Sequence, residues 1–136
     1  MQKIAESAVR RLEKSARSAA ARAYAPYSRF PVGAAVLGGS GKIYSGCNVE
    51  NSSFGLCNCA ERTAIFSAIS AGERSIRAVA VYTPTRLPTT PCGACRQVIN
   101  EFGPEAAVVC VCDTKSRIET RLSALLPGAF GPGDLA

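Results

Sequence analysis

The sequence predicts an α/β fold: a single domain in which a mixed central sheet is sandwiched by helices. Three observations lead there. A long amphipathic helical pattern opens the chain, short β-like apolar runs then alternate with helical ones, and no repeat or long linker divides the 136 residues. A chain of this length buries roughly two thirds of the surface it would expose unfolded, so it needs no disulfide staples. Residues 1–136 are therefore expected to form one domain.

Apolar or small residues at Ile4, Ala8, Leu12, Ala16, Ala19 and Ala23 recur at near-helical spacing with charges between them, which predicts an amphipathic helix from 3 to about 23. Pro26, which lacks an N–H, is expected to break it. Residues 32–37 and 42–47 read as two strands joined through Gly38-Gly39-Ser40-Gly41, an antiparallel hairpin. The small residues of the first strand permit close approach of a helix or ligand. Asn48 to Ser53 is a polar segment at a strand exit, where side chains reach into sites.

A helix is expected from near Cys59 through Ala60, Ala64, Ile65, Ala68 and Ile69 to a glycine stop at Gly72. Residues 77–83 form a nearly continuous apolar run, suited to a central strand covered on both faces. A second short helix begins near Cys92, carries Val98, Ile99 and Phe102 inward, and ends at Gly103-Pro104. Residues 106–112 give another strand, on which Cys110 and Cys112 share a face as small buried hydrophobes. An edge strand over 118–121 and one helical turn at 123–126 follow, then a Pro- and Gly-rich tail from Pro127 that cannot stay helical.

Composition narrows the chemistry. Hydrophobic residues are 47% and charged ones 19%, an ordinary globular balance. The leading residues lack the apolar core of a signal peptide, and no run approaches the roughly 20 apolar residues of a membrane span. Seven cysteines without an export signal point to a reducing, cytoplasmic setting, where thiols stay free or bind metal. The net charge of +6 owes much to Arg10, Arg11, Lys14, Arg17 and Arg22 on the first helix, read as a solvated face and no nucleic-acid surface. There is no histidine, so triads, metal ligands and proton shuttles built on imidazole are excluded. With aspartate only at Asp113 and Asp134, the pool of proton carriers is mostly glutamate.

Two stretches carry chemistry. Cys59 stands two residues before Glu61 at the start of one helix, and Cys92 and Cys95 stand three apart at the start of another, so the latter two sulfurs share a face at a zinc-ligand spacing. Helix N-termini favour thiolates. Arg62 and Arg96, next to the ligands, add hydrogen bonds or positive charge around the zinc site. Glu61, a carboxyl that is not itself a ligand, is placed to move a proton between water and a substrate nitrogen. Two blander readings remain. Cys57 could complete a closed structural site of four thiolates, or the cysteines could be buried without metal.

At these residues the chain resembles the zinc-dependent nucleoside and nucleotide deaminases, and most of all the small homotetrameric cytidine deaminases. The likeness runs through Tyr27 to Ala35, Gly46 to Asn51, Cys59 to Ala64, Pro91 to Gln97 and Leu125 to Phe130. It implies a cytidine deaminase-like α/β/α sandwich and one zinc per subunit on Cys59, Cys92 and Cys95, with Glu61 shuttling protons. It also implies Asn48 and Glu50 on the ribose hydroxyls, Phe30 against the pyrimidine, the Ala60 backbone orienting the base, and Phe130 closing the pocket of a neighbouring subunit. The expected substrate is a small nucleoside, with cytidine or deoxycytidine converted to uridine or deoxyuridine in pyrimidine salvage. By residue chemistry alone, Asn48 is equally a turn residue, Glu50 an exposed loop acid and Phe30 a core residue. Many relatives carry tyrosine where this chain has Phe54, which removes a hydroxyl from the expected subunit interface. The competing functions are deamination of another amine, such as a nucleotide or nucleoside antibiotic, and a non-catalytic structural zinc module. Editing of a polynucleotide would call for an electropositive, often aromatic-lined channel, against 7% aromatic residues here.

Overall fold

In the computed structural model, five strands form one mixed sheet in the order β2-β1-β3-β4-β5. It describes residues 3–135; the expectations for Met1, Gln2 and Ala136 lie outside the described residues. The elements run α1 (Glu6–Ala20), β1 (Gly33–Gly38), β2 (Ile43–Cys47), α2 (Ala60–Ser70), β3 (Ile76–Tyr82), α3 (Gly93–Phe102), β4 (Ala107–Val111), β5 (Ile118–Arg121) and α4 (Leu122–Leu125). The predicted order of elements is the observed one. Two 3-10 turns, Phe54–Leu56 and Pro132–Leu135, add to it.

Side-chain alternation along the strands divides the core. Ala35, Leu37, Ala78 and Ala80 pack against Leu12 and Ala16 of α1. Ala34, Val36, Val79, Val81, Val108 and Cys110 face the other way, toward Ala60, Ala64 and Ile65 of α2 and Ile99 of α3. β3 is the middle strand and is covered on both faces, which accounts for its unbroken apolar run. Its β1 neighbour is antiparallel and its β4 neighbour parallel, the latter pair joined by the crossover through α3.

Two glycines let the layers approach. A side chain at Gly33 would place its Cβ 1.9 Å from the Ala16 carbonyl oxygen, and one at Gly46 would reach 2.4 Å from Ala64 N. The small first strand admits a helix as expected, and Gly46 of β2 does the same on the other face.

Helix α1 is shorter than its periodicity suggests, and tertiary pairing ends it ahead of Pro26. Tyr24 N donates to Asn48 O at 3.0 Å and Glu50 N to Tyr24 O at 2.8 Å, so the chain leaves the helix to run beside the strand exit after β2. The Pro- and Gly-rich tail closes on a single 3-10 turn begun by Pro132, a position where the missing N–H costs nothing.

The register collects one end of the sheet into a rim. Gly33 pairs with Cys47 on one side and Tyr82 on the other, so the segments before β1, after β2 and after β3 emerge side by side. α3 is the next element after β3, and the loop over 83–92 that joins them keeps its N-terminus at the same rim.

Candidate active site

The rim holds a cavity of about 290 Å³, lined by Ser28, Phe30, Val32, Asn48, Glu50, Cys59, Ala60, Glu61, Val81, Thr83, Thr89, Thr90 and Cys92. Seven of the residues singled out in the sequence thus share one concavity. Cys95 lies behind it, fully buried.

Both helices arrive by their N-termini. Cys59 is the N-cap of α2 and Cys92 the N-cap of α3, where the Cys92 sulfur accepts from Cys95 N at 3.5 Å. The Cys59 and Cys92 sulfurs are 3.9 Å apart, and all three sulfurs lie within 4.8 Å of one another. Sulfurs each about 2.3 Å from one tetrahedral ion stand about 3.8 Å apart, so the group has the dimensions of a zinc site. Cys57 is turned elsewhere: its sulfur accepts from Asn51 N at 3.3 Å and is 3.6 Å from Asn51 O, outside the three-sulfur group.

Charge around the sulfurs is arranged to hold Cys59 as thiolate. Arg62 Nη2 donates to Cys59 Sγ at 3.3 Å, while its buried Nε has no hydrogen-bond partner among the described residues. Hydrogen bonding from Cys95, and then from Arg62 and Cys92, brings the Cys59 thiol down to about 5 against the opposing effect of burial. Cys95, as the donor to Cys59 and itself buried, is held up as the protonated member of the pair. Arg96, expected at the sulfurs, points its donors elsewhere. It binds the carbonyl oxygens of Pro91 (2.7 Å) and Leu125 (2.9 Å) and the Thr90 hydroxyl (2.9 Å), and so braces the turn that delivers Cys92.

Glu61 is 5% exposed, in the first turn of α2. Burial, with the Cys59 charge adding to it, pushes its carboxyl up to about 7. Such a group can both take and return a proton near neutral pH.

The sugar-side candidates have structural partners of their own. Asn48 Oδ1 accepts from Val32 N at 2.9 Å and its Nδ2 donates to Phe30 O at 2.8 Å, so the amide clamps the segment that carries Phe30. Glu50 accepts from Tyr27 N (2.9 Å), Ser28 N (3.1 Å) and the Ser28 hydroxyl. These bonds, the Ser28 hydroxyl foremost, hold its carboxyl below the usual range. Each group keeps capacity for further bonds, since an amide carries two donors and two lone pairs and a carboxylate about four acceptor sites. Arg29, between Ser28 and Phe30, takes a left-handed φ of 57°, uncommon for a residue with a side chain. Phe30 is 39% exposed.

Phe130 does not line this cavity and is 58% exposed. Its carbonyl is caught by Gln97 Nε2 at 2.8 Å and Asn100 Nδ2 at 3.2 Å, both from α3. The sequence reasoning missed Ser28, Val32, Val81, Thr83, Thr89 and Thr90 as cavity residues. The one available signal was the density of threonine just ahead of Pro91.

Comparison with known proteins agrees with this geometry. The family model for the cytidine and deoxycytidylate deaminase zinc-binding region matches residues 6–112. The chain belongs to that family. A cytidine deaminase of Sporosarcina psychrophila is 51% identical over 129 residues, covering 94% of this chain and 95% of that protein. One from Halalkalibacterium halodurans is 50% identical over 125 residues, covering 91% and 95%. The crystal structure of cytidine deaminase from Burkholderia pseudomallei superposes with a TM-score of 0.85 at 51% identity, over 89% of this chain and 98% of that one. Zinc is the metal of this deaminase family, and the three-sulfur group fits it in number and spacing, with Cys59 already held toward thiolate.

Proposed function

We propose that this chain catalyses the hydrolytic deamination of cytidine and deoxycytidine to uridine and deoxyuridine, releasing ammonia. The observation that carries the reading is a buried carboxyl, Glu61, beside three converging cysteine sulfurs in a nucleoside-sized cavity. The cavity lining offers no lysine or arginine, and its charged groups are the carboxyls Glu50 and Glu61. A 5′-phosphate would find no cation there and would meet the Glu50 carboxylate, which favours a nucleoside over a nucleotide.

In this reading Cys59, Cys92 and Cys95 hold one zinc per subunit, which when bound supplies the Lewis acidity that makes a water nucleophilic. Glu61 would take a proton from the attacking water and deliver it to the pyrimidine ring nitrogen. It then carries the second proton to the amine, which leaves as ammonia as the C–N bond breaks and a C–O bond replaces it. Phe30 packs on the pyrimidine, the Ala60 backbone orients its edge, and Asn48 and Glu50 receive the ribose hydroxyls with their remaining capacity. Arg62 offsets the charge of the thiolates, and Arg96 steadies the Cys92 turn.

The proposal extends to assembly. The chain acts as one domain, 1–136, in a cytoplasmic homotetramer serving pyrimidine salvage, and Phe130 completes the pocket of a neighbouring subunit. Exposed Tyr24, Tyr27, Phe54 and Leu56 support an interface close to the cavity. Among the described residues no helix is long and apolar enough to cross a membrane.

The test is ammonia release from cytidine by zinc-loaded protein, beside Glu61→Gln and with cytidine monophosphate as second substrate. Turnover of cytidine that falls by about 100-fold or more in the variant, with zinc retained, is the expected result. A variant within a few fold of wild type would remove Glu61 from the chemistry. Equal use of the monophosphate would overturn the nucleoside assignment.

A further inference from the structure

Thr83 is a cavity residue with no role in the reading above. It directly follows β3 and shares a face with Val81, so it points to the α2–α3 side, where it lines the cavity with Glu61 and Cys92 while only 2% exposed. Its hydroxyl oxygen is 2.8 Å from that of Thr85. Thr85 Oγ1 is in turn 2.6 Å from the Leu87 carbonyl oxygen. The backbone fixes this pair across Pro84, where Thr85 N donates to Thr83 O at 2.9 Å in a three-residue turn.

The direction of the chain of bonds follows from proton counting. A carbonyl oxygen only accepts, so Thr85 directs its single hydroxyl proton to Leu87 O. Thr85 Oγ1 must then accept from Thr83, whose own single proton is thereby used. The hydroxyl of Thr83 has lone pairs left and no proton to give.

We propose that Thr83 is a specificity-determining residue that presents an obligate acceptor to the reacting edge of the base. The inference rests on the nucleoside deaminase reading of the site. An exocyclic amine carries two N–H groups and can donate to Thr83. The carbonyl that replaces it after deamination has only lone pairs, and two oxygens with no proton between them repel. One hydroxyl thus favours the amine-bearing substrate and weakens retention of the product.

The experiment compares wild type with Thr83→Val, Thr83→Ser and Thr85→Val, reading KM and kcat/KM for cytidine, and uridine affinity by both inhibition and calorimetry. Melting temperature serves as the fold control. Loss of one neutral hydrogen bond should lower cytidine kcat/KM about two- to tenfold in Thr83→Val, with uridine affinity unchanged or higher. Thr83→Ser should stay within about twofold of wild type, since the hydroxyl remains. Thr85→Val acts through direction alone. With its acceptor gone, the Thr83 proton can turn to the cavity, and uridine should bind several-fold tighter. A folded Thr83→Val that weakens both nucleosides in parallel would make the residue one of shape only and overturn the proposal. Unchanged uridine affinity in Thr85→Val would overturn it as well, and that arm stands even where Thr83→Val does not fold. A wild-type protein that releases no ammonia from cytidine would instead overturn the reading of the whole site, and this inference with it.

Discussion

Cys59 and Cys92 hold the same position on different helices: each is the N-cap of its helix, and their sulfurs meet at 3.9 Å. The ends of α2 and α3 therefore aim unpaired N–H groups and the positive ends of their dipoles at one point. With a divalent cation bound, three thiolates would leave one net negative charge, which these helix ends and Arg62 would offset. Two thiols placed at N-caps by local sequence form a group that could hold a metal only because the sheet register brings both caps to one rim.

Metal content should distinguish the neighbouring cysteines. Cys57→Ala is expected to keep one zinc per chain, because the Cys57 sulfur serves the loop at Asn51. Cys59→Ala should lose tight binding, as one of three sulfurs is removed. Zinc per chain after dialysis against a weak chelator gives the answer, and a zinc-free Cys57→Ala protein would restore the four-thiolate site.

Gly33→Ala tests the seating of α1 on the sheet. The new Cβ would lie 1.9 Å from Ala16 O and 2.6 Å from Ala20 N, both backbone atoms that cannot swing aside. The helix must lift, at a cost of about 1–3 kcal/mol or more. A melting-temperature drop of about 5–10 °C is expected; an unchanged value would mean that α1 sits farther from β1 than this.

Much of this was legible from spacing alone. The order of elements follows from periods of two and 3.6, and the three sulfurs from the placement of cysteines at two helix starts. Long-range partners were not legible. Nothing local to Asn48 says that its amide clamps Phe30 and Val32, and nothing local to Glu50 names Tyr27 and Ser28 as its donors. Glu73, which nothing in the local sequence singles out, is an 8% exposed carboxylate whose partners Ser40 and Tyr44 are distant in sequence. The 3-10 turn at Phe54–Leu56 shows no apolar period, because its side chains are exposed.

Glu73 should set part of the acid limb of stability. It accepts from Ser40 N at 3.2 Å, from Tyr44 Oη at 2.8 Å and from the Ser40 hydroxyl, and it ties the end of α2 to the β1–β2 turn. Those bonds, the Ser40 hydroxyl first, lower its carboxyl below the usual 4.5. A carboxyl with a lowered folded-state value adds stability above its unfolded value and loses it as pH falls through the folded one. Glu73→Gln should therefore melt below wild type at neutral pH, with the gap closing toward about pH 3. Melting curves at both pH values measure this, and a gap independent of pH would assign the loss to shape.

Asn48→Ala separates a clamp from a ligand contact. The amide bonds Phe30 O and Val32 N at once, so removing it frees the segment that forms one wall of the cavity. Two lost hydrogen bonds at a half-exposed position should lower stability by about 1–2 kcal/mol. The same loosening should raise KM for cytidine more than it lowers kcat, because the segment carrying Phe30, and not Glu61, is displaced. Asn48→Asp refines the test. It keeps an acceptor for Val32 N but sets a carboxylate oxygen against Phe30 O, so it should rescue neither quantity fully. Melting temperature and KM are to be read together on both variants. A raised KM at wild-type melting temperature would leave Asn48 as a sugar contact alone and remove the clamp from the account of how this cavity is held open.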